Sequence, residues 1–440
     1  METLDRLRSG ELAGIKRLNL SCELTEFPME ILGLADSLEI LNLSNNRLQS
    51  LPPEIAQLRR LKVVFFNNNA FETLPTELSA CPNLSMVSFK GNRIREIDEQ
   101  ALFPNIRWLI LTNNQIERLP KTIGQLKKLQ KCMLAGNRLR ALPDEMANCH
   151  NLELIRISAN QLSKLPNWLL TLPRLAWLAY ASNPFGPSTT HGAAPAISTI
   201  DVNEITLGAI LGEGASGVIY RGTWTPLSAS PQPIAVKLFK GEITSDGLPA
   251  DEMRACLLAG QHPNRVNVLG KLSQTFQGKE GLVFSFISPD YANLGGPPSL
   301  ETCTRDTYSD DTAFTPQTIL QIAKGVASAV DHLHRNGIIH GDLYAHNILI
   351  NASGESILGD FGAASFYDVE ARSTSQSLEQ IEARAFGCLL EDLLERCTDV
   401  ASPNDKTTTE QLRYLQRDCM QPMPSNRPLF ASMCERLSCL

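Results

Sequence analysis

The 440-residue chain is predicted to fold as an α/β repeat solenoid followed by an α+β domain of two lobes. Three observations predict this. A nine-residue string ending in Asn returns every 22 or 23 residues through the first 185 positions, a Pro/Gly/Ser/Thr/Ala-rich stretch follows it, and glycine and acidic motifs stand at fixed distances in the remainder. The length allows two or three separate cores. The expected division is 1–185 for the repeats, 186–200 for a linker and 201–440 for the second domain.

The repeat strings are "LEILNLSNN" ending at Asn46, "LKVVFFNNN" at Asn69, "LSMVSFKGN" at Asn92 and "IRWLILTNN" at Asn114. They continue with "LQKCMLAGN" at Asn137, "LELIRISAN" at Asn160 and "LAWLAYASN" at Asn183. An eighth, "IKRLNLSCE", opens the array with Glu23 in place of Asn. The pattern L-x-x-L-x-L-x-x-N is that of leucine-rich repeats. Each unit supplies one short strand whose leucines enter a shared core, and the Asn side chain satisfies backbone groups where the chain leaves the sheet. Segments such as "LPPEIAQL" and "LPKTIGQL" between the strings are expected to pack the convex side. No single repeat buries enough surface to fold alone, so about eight of them form one cooperative array.

Alternation along each strand turns the variable positions onto the concave face. Phe65, Met86, Trp108, Met133 and Trp177 form an apolar band there. A soluble chain rarely leaves such a patch bare, so the band is expected to bind a protein substrate or regulator. The competing expectation is that a flanking segment or the second domain covers it.

Composition excludes several classes. No run approaches the roughly 18 apolar residues of a membrane span, and the opening METLDRLRSGELAG lacks a signal-peptide core. Membrane insertion is not expected, and the cytoplasm is the expected compartment. The eleven cysteines are scattered singly, with no C-x-x-C pair, and read as reduced thiols. Residues 1–185 hold 22 Lys and Arg against 18 Asp and Glu, whereas the rest holds 18 against 29. Neither part has the basic stripe of a nucleic-acid binder.

After "PFGPSTTHGAAPAIST", which reads as a connector, a new pattern begins near Asp201. "LGEGASGVIYRG" places Gly212, Gly214 and Gly217 as G-x-G-x-x-G between strand-like flanks. Glycine lets backbone approach phosphates closely and turn back sharply. Alone, the motif also fits a dinucleotide-binding turn. The strand "IAVKLFK" that follows, with Lys237, matches the V-A-I-K strand of protein kinases instead.

From about residue 203 to 440 the chain resembles a protein kinase domain. The whole resembles bacterial-type proteins that place leucine-rich repeats before such a domain. The resemblance implies ATP and Mg2+ as cofactors. It implies that Leu211, Gly212, Gly214, Gly217, Val218 and Ala235 line the nucleotide, and that Lys237 contacts its α and β phosphates. The acidic partner of Lys237 would be Glu252, ten residues before His262, with Asp251 as the fallback. "GLVFSFI" reads as the strand entering the hinge, with Phe284 behind the adenine pocket. In "TPQTILQIAKGVASAVDHLHRNGIIH", Ile319, Ile322, Ala323, Val326 and Val330 stand at helical spacing and predict a buried helix.

"HGDLYAHN" carries Asp342 and Asn347, and "LGDFG" carries Asp360. In-line phosphoryl transfer needs metal on the phosphates and a carboxylate to orient the attacking hydroxyl. Asp342 is expected to supply the second, Asn347 and Asp360 to hold the metal, and His340 to pack beneath the loop. Two departures stand out. Gly341 replaces the Arg that in many kinases meets a phosphorylated activation segment, so activation through Ser365, Tyr367, Ser373, Thr374, Ser375 or Ser377 is not expected. No A-P-E follows the D-F-G. Glu382 in "EARAFGCLLEDLL", separated from Gly362 by 19 residues, resembles the D-x-W-x-x-G helix start.

The shortened segment leaves three readings open: a protein kinase, a small-molecule phosphotransferase of the aminoglycoside or choline type, and a retired kinase kept as a scaffold. The G-x-G-x-x-G form, "AVK", the intact D-F-G and "NRPLF" with Arg427 favour the first. Tyr344, two residues beyond Asp342, matches neither acceptor signature, and serine/threonine is taken as the commoner class. The repeats either recruit the substrate or fold back and inhibit.

Overall fold

The structure, a computed structural model, describes residues 2–186, 198–227, 229–398 and 402–440. Most of the expected linker, 187–197, lies outside the described residues. The chain divides into two compact units, Met1–Arg174 with Asn183–Phe185, and Leu175–Ser182 with Gly186–Leu440.

In the first unit a short helix, α1 (Glu2–Arg8), precedes seven parallel strands of three residues each: β1 (Arg17–Asn19), β2 (Ile40–Asn42), β3 (Val63–Phe65), β4 (Met86–Ser88), β5 (Trp108–Ile110), β6 (Lys131–Met133) and β7 (Leu154–Arg156). Each residue pairs with the one a repeat later, as in Val63 with Met86 and Met86 with Trp108. The central residues Leu41, Val64, Leu109, Cys132 and Ile155 are fully buried. The motif asparagines form an internal ladder. Asn69 donates through Nδ2 to the carbonyls of Leu43 (2.9 Å) and Phe66 (3.1 Å), while its Oδ1 accepts the amide of Leu48 at 2.9 Å. Asn92, Asn114, Asn137 and Asn160 repeat the arrangement. The residue before each motif Asn takes a positive φ: Asn45, Asn68, Gly91, Asn113, Gly136, Ala159 and Ser182. Asn and Gly tolerate that conformation best, which favours the N-N and G-N pairs found at five of these seven positions, while Ala159 and Ser182 adopt it without that advantage. On the other side, 3-10 turns such as Pro53–Gln57 and Lys121–Gln125 follow an extended Pro and bury Ile55 and Ile123.

The apolar band is less open than its sequence suggests. Met86 and Met133 are buried, whereas Phe65 and Trp108 are half-buried, with the Lys131 ammonium 4.2 Å above the Trp108 ring. Trp177 is fully buried and belongs to the second unit.

The second unit begins with β8 (Trp177–Ala179) and β9 (Thr199–Ile200). Its main sheet adds β10 (Ile205–Glu213), β11 (Gly217–Trp224), β12 (Gln232–Phe239), β13 (Val268–Leu272) and β14 (Gly281–Ser285), in the order β10-β11-β12-β14-β13-β9. Ile200, Ile234, Val236, Leu238, Leu272 and Val283 pack its core. Helix α2 (Pro249–Leu258) follows β12. The larger lobe opens with β15 (Ala292–Asn293) and α3 (Pro316–Arg335). Thr315 caps α3 by accepting the amide of Thr318, and Ile319, Ile322, Ala323, Val326 and Val330 are fully buried along it. Strands β16 (Ile338–Ile339), β17 (Ile348–Ile350), β18 (Ser356–Leu358) and β19 (Ser365–Phe366) frame the "HGDLYAHN" and "LGDFG" motifs, and helices α4 (Arg372–Glu395), α5 (Pro403–Cys419) and α6 (Phe430–Ser438) complete the lobe.

One expectation is corrected here. Glu382 does not start a helix; α4 begins ten residues earlier at Arg372. Between Arg372 and Phe386 there is no Gly or Pro, and Leu378, Ile381 and Ala385 recur on one buried side, so the polar run "RSTSQSLEQ" joins the helix. Only residues 363–371 connect the D-F-G to α4. Of the proposed phosphate acceptors, Ser365, Tyr367 and Ser375 are buried. The Tyr367 hydroxyl donates to the His334 carbonyl (2.9 Å) and Glu379 (2.8 Å). All eleven cysteines are free thiols. No helix of the described residues is long and apolar enough to cross a membrane.

Candidate active site

The smaller lobe builds the first half of the site. Strands β10 and β11 are antiparallel, and the glycine-rich turn between them closes through the Gly214 amide donating to the Gly217 carbonyl at 2.9 Å. A Cβ at Gly217 would lie 2.6 Å from the Leu238 carbonyl oxygen and 3.2 Å from Lys237 Cε, so glycine is required for the strands to meet. Gly212 and Gly214 have nothing within 4 Å of a Cβ position, which leaves that side of the turn open to a ligand. Leu211 is exposed, Val218 is buried and Ala235 is half-buried opposite Phe284 in the β12/β14 register.

Lys237 lies on β12 and bonds to Glu252 on α2. Both are buried, at 9% and 3% exposure, so neither group could stay charged without the other. Burial opposes the Lys237 charge, but the Glu252 and Asp360 carboxylates outweigh it and hold the ammonium above its ordinary pKa. Asp251 points elsewhere, accepting from the Ser182 hydroxyl at 2.7 Å.

The larger lobe supplies the second half. Asn347 Nδ2 donates to both the backbone carbonyl and Oδ2 of Asp342, each at 2.9 Å, which fixes the four-residue loop between them. The Gly359 amide donates to the Asn347 carbonyl at 2.9 Å and ties the loop to Asp360. Asp360 is solvent-exposed and takes φ 51, uncommon for a residue with a side chain, and it accepts the Gly362 amide at 3.0 Å. His340 is fully buried. Its Nε2 lies 2.9 Å from the Gly359 carbonyl, its Nδ1 accepts the Asp342 amide at 3.3 Å, and its ring is 5.2 Å from that of Phe361.

Glu382 anchors this loop from α4. It accepts the amides of Gly341 (2.7 Å) and His340 (3.3 Å) and pairs with His334 Nε2 at 2.7 Å. Burial opposes its charge, yet the His334 bond, the neighbouring imidazoles and the Gly341 amide hold its carboxyl below the usual glutamate range. Asp306 is a residue that sequence reasoning missed. It accepts the Ala345 amide and the His346 ring nitrogen, each at 2.7 Å, and so clamps the turn Ala345–Asn347 from a segment with no periodic pattern to announce it. Trp177 and Tyr180 are also in contact with this half, through Leu343 and Ser365, whereas Ser182 reaches Asp251 of the first half.

The donor set suits magnesium. Among the described residues no group of three or more His, Cys, Asp or Glu could hold a metal alone. Magnesium takes one or two carboxylates with substrate phosphates and keeps several waters, a demand that the exposed Asp360 carboxylate fits, with Asn347 tied to the adjoining Gly359 through the backbone.

A sheet carrying a glycine turn and a buried Lys–Glu pair, facing a helical lobe that carries an Asp–Asn loop and an Asp-Phe-Gly, is the arrangement of a protein kinase domain. Residues 205–402 match the family model of protein tyrosine and serine/threonine kinase, and residues 36–94 that of leucine rich repeat. The chain carries N-terminal leucine-rich repeats plus a protein kinase domain. It is 25% identical over 281 residues to fibroblast growth factor receptor 1 of Xenopus laevis, a match covering 53% of this chain and 34% of the receptor. It is 32% identical over 157 residues to serine/threonine-protein kinase PITSLRE of Drosophila melanogaster, covering 35% and 15%. A third relative, the probable serine/threonine-protein kinase gdt4 of Dictyostelium discoideum, is 35% identical over 153 residues, covering 35% and 8%. The chain spans about a third or less of the length of these relatives. A bacterial-type character draws no support from them.

Proposed function

We propose that the chain is an ATP-dependent protein kinase that transfers the γ-phosphoryl group to a serine or threonine hydroxyl of a protein. The observation that carries this reading is the joint presence of the Lys237–Glu252 pair and the Asp342–Asn347 loop. Bound ATP with Mg2+ would supply the transferable phosphoryl group and the metal charge that offsets its oxygens. Lys237 would bind the α and β phosphates, with Gly212, Gly214 and Gly217 leaving the backbone free to approach. Leu211, Val218 and Ala235 would wall the base. Asn347 and Asp360 would hold the metal. Asp342 would orient the acceptor hydroxyl and take its proton, a role worth roughly 10²- to 10⁴-fold in rate. The serine/threonine assignment is supported by the likeness to serine/threonine-protein kinase PITSLRE and the probable serine/threonine-protein kinase gdt4.

The repeats are the protein-binding module in this reading, raising the local concentration of a substrate or regulator near the cleft. Phe65 and Trp108, half-buried on the sheet, are the contact residues proposed; Met86 and Met133 lie too deep to do more than support them.

A second reading, transfer to a small molecule, is favoured by one observation: the nine residues 363–371 leave little chain for a peptide platform. Incubating the purified protein with γ-labelled ATP, Mg2+, a protein extract and a panel of aminoglycosides and cholines separates the two. Label on protein serine or threonine is expected. Label on the small molecules alone overturns the proposal, and nucleotide binding without transfer makes the chain a scaffold.

A further inference from the structure

We propose that Leu175–Ser182, by sequence part of the last repeat, is a working part of the kinase unit, and that Trp177 is a positioning residue for its catalytic loop. The segment takes over the support that the nine residues 363–371 are too few to give.

The segment belongs to the same compact unit as the catalytic loop, and its contacts fall on functional ground. The Trp177 indole Nε1 donates to the Leu343 carbonyl at 3.0 Å. Its ring lies flat on Tyr344, with centroids 4.3 Å apart and planes inclined by 7°. Leu343 and Tyr344 directly follow Asp342, so Trp177 fixes the backbone that aims the carboxylate. Three residues on, the Tyr180 amide donates to Ser365 Oγ at 2.9 Å and its hydroxyl to the Phe366 carbonyl at 3.2 Å. Ser182 then donates to Asp251, the neighbour of Glu252 on α2. One short segment, 177–182, therefore touches the loop of Asp342, the segment after the D-F-G, and the helix of the Lys237 partner.

The glycine of "HGD" has its reason here. Gly341 takes φ 73, and a Cβ on it would stand 2.7 Å from the carbonyl oxygens of both Leu178 and Ala363. Both are backbone atoms, which cannot swing aside. The residue usual in kinases, Arg, is excluded because Leu178 occupies its place, and the ordering that a phosphorylated segment brings through that Arg is supplied by the strand itself. Trp177, Leu178, Ala179 and Tyr180 are all 2% exposed or less. A segment so deeply seated, with the Trp177 indole and the Tyr180 hydroxyl committed to backbone carbonyls, behaves as fixed structure rather than as a lid.

The rate part of the test rests on the kinase reading; the exchange part does not. Hydrogen–deuterium exchange of the full chain is compared for the wild type, Trp177→Ala and Trp177→Phe, alongside ATP turnover. In W177A, amides in peptides spanning 340–347 and 363–367 should exchange roughly 10-fold faster while those of β4 to β6 stay unchanged, as for a local opening. W177F, which keeps the ring stack and loses the Nε1 donor, should fall between. In turnover, W177A should lower kcat roughly 10- to 100-fold, the cost of a catalytic group displaced by about 1 Å, with the KM for ATP unchanged. Unaltered exchange at 340–347 in both variants overturns the proposal, and so does a rise in kcat, which would make the strand an inhibitor. Should the wild type itself transfer no phosphate, the kinase reading fails and the exchange result still decides the role of Trp177. Should W177A not fold, W177F carries the comparison alone.

Discussion

Glu382 of α4 accepts the amide of Gly341 at 2.7 Å, across 41 residues of sequence. A fully buried carboxylate thus holds the backbone just before Asp342, with His334 Nε2 at 2.7 Å on its other side.

The first prediction follows from that contact. Glu382→Gln keeps the shape and one acceptor but not the charge, and should lower stability by about 2 kcal/mol, as for a charged buried hydrogen bond. Because its folded pKa lies below the ordinary 4.5, the contribution is present above that value and is lost as pH falls through the folded one. Denaturant unfolding of wild type and E382Q at several pH values should show the gap between them closing in acid below 4.5. A gap that widens there contradicts the assignment.

Restoring the residue usual in kinases should do harm. Gly341→Arg places a side chain at φ 73, which costs about 1–2 kcal/mol for an L-residue, and drives it into the Leu178 and Ala363 carbonyls. Thermal unfolding should occur at lower temperature and phosphoryl transfer should fall. A variant as stable as the wild type, or more active, would show that Gly341 is not held by its neighbours.

In the repeats, Asn114→Ala removes bonds to the carbonyls of Phe89 and Leu111 and from the amide of Ile94, all buried. Leaving those groups unpaired should cost about 2–3 kcal/mol. Asn83→Ala, which removes one exposed bond to the Arg59 carbonyl, should stay within about 0.5 kcal/mol of wild type. Equal effects would mean the motif Asn has no special role in the array.

What the sequence discloses depends on how far each contact reaches. The repeat array is legible because Asn69 bonds three residues back to Phe66 and one repeat back to Leu43, so its chemistry recurs at the period that reveals it. Likewise Lys237 and Glu252 stand only 15 residues apart, on a strand and the helix after it. Trp177 reads as one more concave-face residue because its partners, Leu343 and Tyr344, lie more than 160 residues away and leave no local trace. Asp306 is hidden for the same reason: it serves Ala345 from 39 residues upstream, within a stretch of short turns. The early start of α4 was available in the sequence, since Leu378, Ile381 and Ala385 already hold helical spacing. A motif expected at Glu382 drew the boundary too late.

The most direct test of the account compares the wild type with Asp342→Asn for the rate of γ-phosphoryl transfer from ATP with Mg2+ to protein, with nucleotide affinity measured in parallel. The account predicts measurable transfer by the wild type, a loss of roughly 10²- to 10⁴-fold in D342N, and unchanged ATP binding. Transfer that persists in D342N, or a wild type that binds ATP and transfers nothing, would contradict it.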